Sequence, residues 1–109
     1  MAALSPQDLK SRATATEKFA PVTVTVPVLG GDVCVRRLTA GQLDEYADAI
    51  DKAPADKARA TILLHAVCDE QGRQVFNSDD VPELAKFAAP VATGIIAAFR
   101  EANGLAGKG

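Results

Sequence analysis

The sequence has no tryptophan, one tyrosine, one histidine, one methionine and two cysteines among its 109 residues. Each scarcity removes a class of function. A zinc site takes about four Cys, His or carboxylate ligands of suitable spacing, and His65 with Cys34 and Cys68 does not assemble such a set. Two cysteines far apart in sequence do not make the disulfide framework of a small secreted domain. The opening Met-Ala-Ala-Leu-Ser-Pro-Gln-Asp also lacks the cationic and apolar regions of a signal peptide. Both cysteines therefore read as small buried thiols. No apolar run reaches the roughly 18 residues of a membrane span; the longest, Val91 to Phe99, is interrupted by Thr93 and Gly94. The formal charge of -2 leaves no general attraction to nucleic acid. A protein that is soluble, stays where it is made and binds other proteins is the class that remains.

What is present is aliphatic. Hydrophobic residues make up 48% of the chain and aromatic ones 5%. The core is therefore expected to be Ala, Val, Leu and Ile, with Phe19, Phe76, Phe87, Phe99 and Tyr46 as its few large pieces. The length suits one domain able to bury about two-thirds of the surface its unfolded chain exposes. Ser5-Pro6-Gln7-Asp8 combines a cap, a proline for the first turn and a carboxylate, predicting a short helix to about Arg12. With only Leu4 and Leu9 to anchor it, residues 1–21 read as a flexible arm, with Ala13-Thr14-Ala15-Thr16 as a linker.

Val22-Thr23-Val24-Thr25-Val26 alternates with period two, and Val33-Cys34-Val35-Arg36 repeats the alternation after Leu29-Gly30-Gly31-Asp32. That pattern predicts a β-hairpin, and the flanking Pro21 and Pro27 place its first strand at an edge. Thr39 with Gln42 makes a capping box ahead of Leu43, Tyr46, Ala47 and Ile50, which share one helical face. After Pro54, a second helix is expected to run to Cys68, apolar on more than one side and hence central. Asp69-Glu70-Gln71-Gly72 reverses the chain, Gly72 being free to take a positive φ. Val75 and Phe76 are expected to plug into the core, and Asn77 or Ser78 to cap a helix carrying Val81, Leu84, Ala85 and Ala88. Pro90 breaks or kinks the chain, and a last helix with Val91, Ala92, Ile95, Ile96 and Phe99 closes at Asn103-Gly104. The fold class is α+β: a small N-terminal β-hairpin packed against about four helices, over residues 22–104, with 105–109 as a flexible tail.

No motif carries chemistry. His65 and Cys68 stand one helical turn apart in the predicted helix, the spacing of an activated thiol, yet no second His and no oxyanion hole accompany them. A calcium loop counted from Asp69 would need Gly at its sixth position and Glu at its twelfth, where Gln74 and Asp80 stand; Asp79 and Asp80 instead suit a helix N-terminus. Gly107-Lys108 lacks the strand and helix of a phosphate-binding loop. Arg36 and Arg37, near Lys52, Lys57 and Arg59, form the densest basic spot, and a small DNA-binding regulator using them is the rival reading. A minor enzyme subunit built on His65 and Cys68 is a third. No cofactor and no metal are expected.

The succession of an apolar helix ending in Val67-Cys68-Asp69-Glu70, Gly72, Val75-Phe76, an acidic helix start at Asp79-Asp80, and a last apolar helix closing at Asn103-Gly104 resembles the tail assembly chaperones of long-tailed bacteriophages and prophages. The resemblance takes in the Val-rich hairpin and Arg36-Arg37-Leu38-Thr39, and covers Val22 to Leu105. It implies a non-catalytic chaperone of the host bacterial cytoplasm, absent from the mature virion, that binds the tape measure protein and helps recruit tail tube subunits. Coating a long helical client with many copies implies weak self-association. The candidate partner-binding residues are Leu43 and Tyr46 on one helix, Ile96 and Phe99 on another, and the edge strand. The resemblance also implies a second, longer product made by ribosomal slippage, for which codons of Ala106, Gly107 and Lys108 can spell a slippery run.

Overall fold

In the computed structural model, which describes residues 3–14 and 20–105, the Val-Thr alternation forms strand β1 (Val22–Val26), antiparallel to β2 (Gly31–Val35). Val22 lies opposite Val35 and Val24 opposite Val33. Period two sends these valines to the face that packs on the helices and leaves Thr23 and Thr25 outside, where Thr25 Oγ1 donates to Asp32 Oδ1 at 3.0 Å. A turn of 3-10 helix over Pro27–Leu29 joins the strands. Phe19 and the tail residues Ala106, Gly107 and Lys108 lie outside the described residues.

Helix α1 (Pro6–Ala13) is capped by Ser5, whose hydroxyl accepts from the Asp8 N–H at 3.1 Å. None of its residues is buried. Helix α2 (Ala40–Lys52) begins with the predicted capping box, Thr39 and Gln42 each accepting from the other's backbone N–H at 3.1 and 3.0 Å. A 3-10 turn over Ala55–Lys57 leads into α3 (Ala58–Ala66). Five of its nine residues are buried: Ala60, Ile62, Leu63, Leu64 and Ala66. It packs against α2, α4 (Val81–Leu84) and α5 (Ala89–Ala102), so it is the central helix.

The apolar pattern predicts helix to Cys68, but α3 ends at Ala66, and Val67–Cys68 form a short third strand, β3, on the free side of β2. The second edge of β2 offers backbone groups that need partners, and β-branched Val67 suits an extended backbone better than a helical one. Arg36 N–H donates to the Ala66 carbonyl at 2.8 Å, locking the helix end to the sheet. The reversal that follows is local. Asp69 Oδ1 accepts from Gln71 and Arg73 N–H, both at 2.9 Å, while Gly72 takes φ 84°, a conformation that favours glycine.

Three further expectations are corrected. Val75 is 47% exposed, and only Phe76 packs, half-buried, against the core; consecutive side chains of a non-helical segment point to opposite sides, so the two do not enter together. The helix over Val81, Leu84, Ala85 and Ala88 is a single turn, α4, leaving Ala85 and Ala88 exposed. Pro90 occupies the first turn of α5, where its missing N–H costs nothing, and the chain leaves helical geometry just upstream, with Ala88 at ψ 138°. Phe87, expected inside, remains 36% exposed. The centre of the core is Phe99, Leu63, Leu84, Ile95 and Val35.

Candidate functional site

His65 and Cys68 do not form the helical-turn pair that the sequence suggests. Because α3 ends at Ala66, Cys68 sits on a strand opposite Cys34, while His65 lies edge-on to Tyr46, with ring centroids 5.7 Å apart. Burial pushes the Cys68 thiol up to about 11, with the neighbouring Cys34 adding to the effect and Arg36 opposing it. That is the reverse of what a nucleophilic thiolate needs. Among the described residues, no group of three or more His, Cys, Asp or Glu side chains is placed to hold a metal ion. Asp80 has a structural role: its carboxylate accepts from the Asn77 N–H at 2.9 Å while Asn77 Oδ1 accepts from Asp79 N–H at 2.8 Å.

His65 carries a pH-dependence of stability. Burial first, and then Arg36, hold its pKa below the ordinary 6.5, with Glu45 acting in the opposite sense. The unfolded chain therefore takes up the proton more readily than the folded one. The contribution is fully present above 6.5 and is lost as pH falls through the lowered native value. A urea midpoint measured at about pH 7.5 and at about pH 5.5 should fall on acidification, and His65→Gln should shrink that fall. An unchanged fall in the variant would assign it to other groups.

The basic spot of the sequence is largely engaged within the molecule. Arg36 Nη1 donates to the His65 carbonyl at 3.2 Å and to Gln74 Oε1 at 3.0 Å, tying the end of β2 to the end of α3 and to the segment after the Gly72 turn. Lys52 pairs with Asp48 at 3.0 Å and Lys57 with Asp56 at 3.7 Å, so each carries its own counter-charge. Arg37 is exposed beside a groove of about 730 Å³ that includes Leu38, Thr39, Gln42 and Asn103. The amide of Asn103 bridges chain ends here: Nδ2 donates to the Arg36 and Phe99 carbonyls, both at 2.9 Å, and Oδ1 accepts from Leu38 N–H at 2.7 Å. Nothing in this arrangement favours the DNA-binding reading.

Of the candidate partner-binding residues, Tyr46, Ile96 and Phe99 are core and Leu43 is half-buried against it. The Tyr46 ring meets Phe99 edge-on, with centroids 5.3 Å apart. Burial raises the Tyr46 pKa, against the opposing charge and hydrogen bond of Arg100. Leu43 keeps part of its side chain at the surface, whereas the other three lie mostly inside. The exposed apolar surface is elsewhere. Val28 is 76% and Leu29 55% exposed at the tip of the hairpin, at one end of β1, whose outer edge has no neighbouring strand among the described residues. A cavity of about 570 Å³ between the start of α3 and the α4–α5 junction is lined by Ala55, Ala58, Ala85, Ala92, Leu84 and Phe87 among others. Sequence reasoning missed the tip, although a signal was there: Val28 and Leu29 follow Pro27 outside the alternation, so they have no core face to occupy.

Compared with known families, the chain matches the model described as "Phage tail assembly chaperone, TAC" over residues 7–103. No curated protein matches it. Among solved structures, that of the bacteriophage HK97 tail assembly chaperone is similar, with a TM-score of 0.57 at 20% sequence identity, covering 87% of this chain and 96% of that one. At that identity the likeness speaks for the fold.

Proposed function

Because the chain belongs to the phage tail assembly chaperone family, we propose that it binds the tape measure protein of a phage tail and helps recruit tail tube subunits to it. The match of the family model from α1 through Asn103 is the observation that carries this reading. The surface is compatible with it: the exposed apolar features include a hairpin tip, a strand edge and an alanine-lined cavity. A tape measure protein not yet enclosed by its tube presents apolar helical faces, which a shallow groove of small residues or an exposed tip can cover. Many weak contacts along one client favour weak association between neighbouring copies. The chaperone acts in the host bacterial cytoplasm and leaves before the virion is complete. Among the described residues, no helix is long and apolar enough to cross a membrane.

The double variant Val28→Asp, Leu29→Asp tests the surface. Both side chains are exposed, so the urea midpoint should correspond to a change within about 0.5 kcal/mol, whereas binding to immobilised tape measure segments should weaken tenfold or more, about 1.4 kcal/mol. Equal binding by the variant removes the tip from the interface. Failure of the wild-type protein to bind any tape measure segment, together with sedimentation as a strict monomer at high concentration, removes the tape measure reading itself.

A further inference from the structure

We propose that Cys34 and Cys68 form a cross-strand dithiol site that closes to an intramolecular disulfide when it meets a small-molecule disulfide. The two residues are direct partners in the β2–β3 register, and both are free thiols. The Arg36 N–H bond to the Ala66 carbonyl sets the phase of this ladder. Two residues along each strand, Cys34 and Cys68 fall in the same hydrogen-bonded phase, for which Cα atoms stand about 5.5 Å apart. That lies within the roughly 4.4–6.8 Å spanned by disulfides. Opposite residues of a strand pair also project to the same side of the sheet. Cys34 Sγ lies 3.9 Å from Thr23 Oγ1, and Thr23 is exposed, so the pair sits on the face turned away from the helices. Cys68 is also bridged on its other side by Gln74, which holds its strand in register opposite Cys34.

The two thiols are unequal in access, which sets the order of the steps. Cys34 is half-buried and Cys68 buried. Cys34, as thiolate, attacks one sulfur of oxidised glutathione, forming a mixed disulfide and releasing one glutathione thiolate. Cys68, on losing its proton, attacks Cys34 Sγ, forms the protein disulfide and expels the second glutathione thiolate. The protein loses two electrons and two protons, the reagent gains two electrons, and the protons end on the two released glutathiones. Burial of Cys68, whose thiol is held up near 11, makes the second step the slower one. In a reducing compartment both remain thiols; in an oxidising one, closure staples the hairpin to the end of α3.

The test is to incubate the folded full chain with oxidised glutathione and follow it by intact-mass and peptide mass spectrometry. The expected product is a monomer lighter by two hydrogens, with the Cys34 and Cys68 peptides joined, reverting with dithiothreitol. Cys68→Ser should stop at a glutathione adduct on Cys34. Persistence of two free thiols, a stable glutathione adduct on the wild-type protein, or a disulfide-linked dimer as the main product would each overturn the proposal. So would closure seen only in denaturant.

Discussion

Replacing Phe99 with alanine is expected to destabilise the protein by about 3–5 kcal/mol, out of the roughly 5–15 kcal/mol by which a domain of this kind is stable. Phe99 is fully buried on α5, which packs against α3 and both strands of the hairpin, and its ring edge meets Tyr46. The residues around it are largely short or branched aliphatic side chains and have little reach to refill the space. The loss therefore combines transfer of the ring, the cavity left behind and the aromatic contact. Guanidinium denaturation should show a much lower midpoint for Phe99→Ala, with Phe99→Leu recovering a large part because it keeps most of the volume. A Phe99→Ala protein with the wild-type midpoint would mean that the core is not centred here.

Asn103→Ala should cost about 2–4 kcal/mol through a different mechanism. Its one amide satisfies Leu38 N–H, the Arg36 carbonyl and the Phe99 carbonyl, and the first two belong to the segment between β2 and α2. Alanine leaves that part-buried donor and acceptor without their partner, and the segment loses its tie to the end of α5. Asn103→Asp distinguishes this from mere loss of bulk. A carboxylate can still accept from Leu38 N–H but cannot donate to either carbonyl, and it brings negative charge against both, so it should be no better than alanine. Hydrogen exchange at the Leu38 amide should quicken in both variants. Protection equal to wild type would show that the segment is held by other contacts.

Much of this fold was legible because much of it is local. The Val-Thr alternation makes a hairpin wherever one face is covered, and Ser5, the Thr39–Gln42 pair, the Asn77–Asp80 pair and Asp69 with Gly72 satisfy backbone groups no more than four residues away. Interactions of that range leave a signature in neighbouring residues, so a linear reading finds them. What depended on distant partners was not legible. Val67 and Cys68 continue an apolar helical pattern and become a strand only because β2 presents an unpaired edge. Phe87 and Phe99 look alike in sequence, yet one is 36% exposed and the other buried, a difference made by which face of each segment the other helices cover. Asn103 is a plausible helix cap in sequence, whereas its bonds to Leu38 and Arg36 span 65 and 67 residues. The sequence by itself determined the caps, the turns, the hairpin and the aliphatic make-up of the core. Tertiary structure decided which apolar residues stayed outside at Val28 and Leu29, and which cysteines came to lie opposite each other on neighbouring strands, because burial and pairing are properties of two surfaces and a linear pattern describes only one at a time.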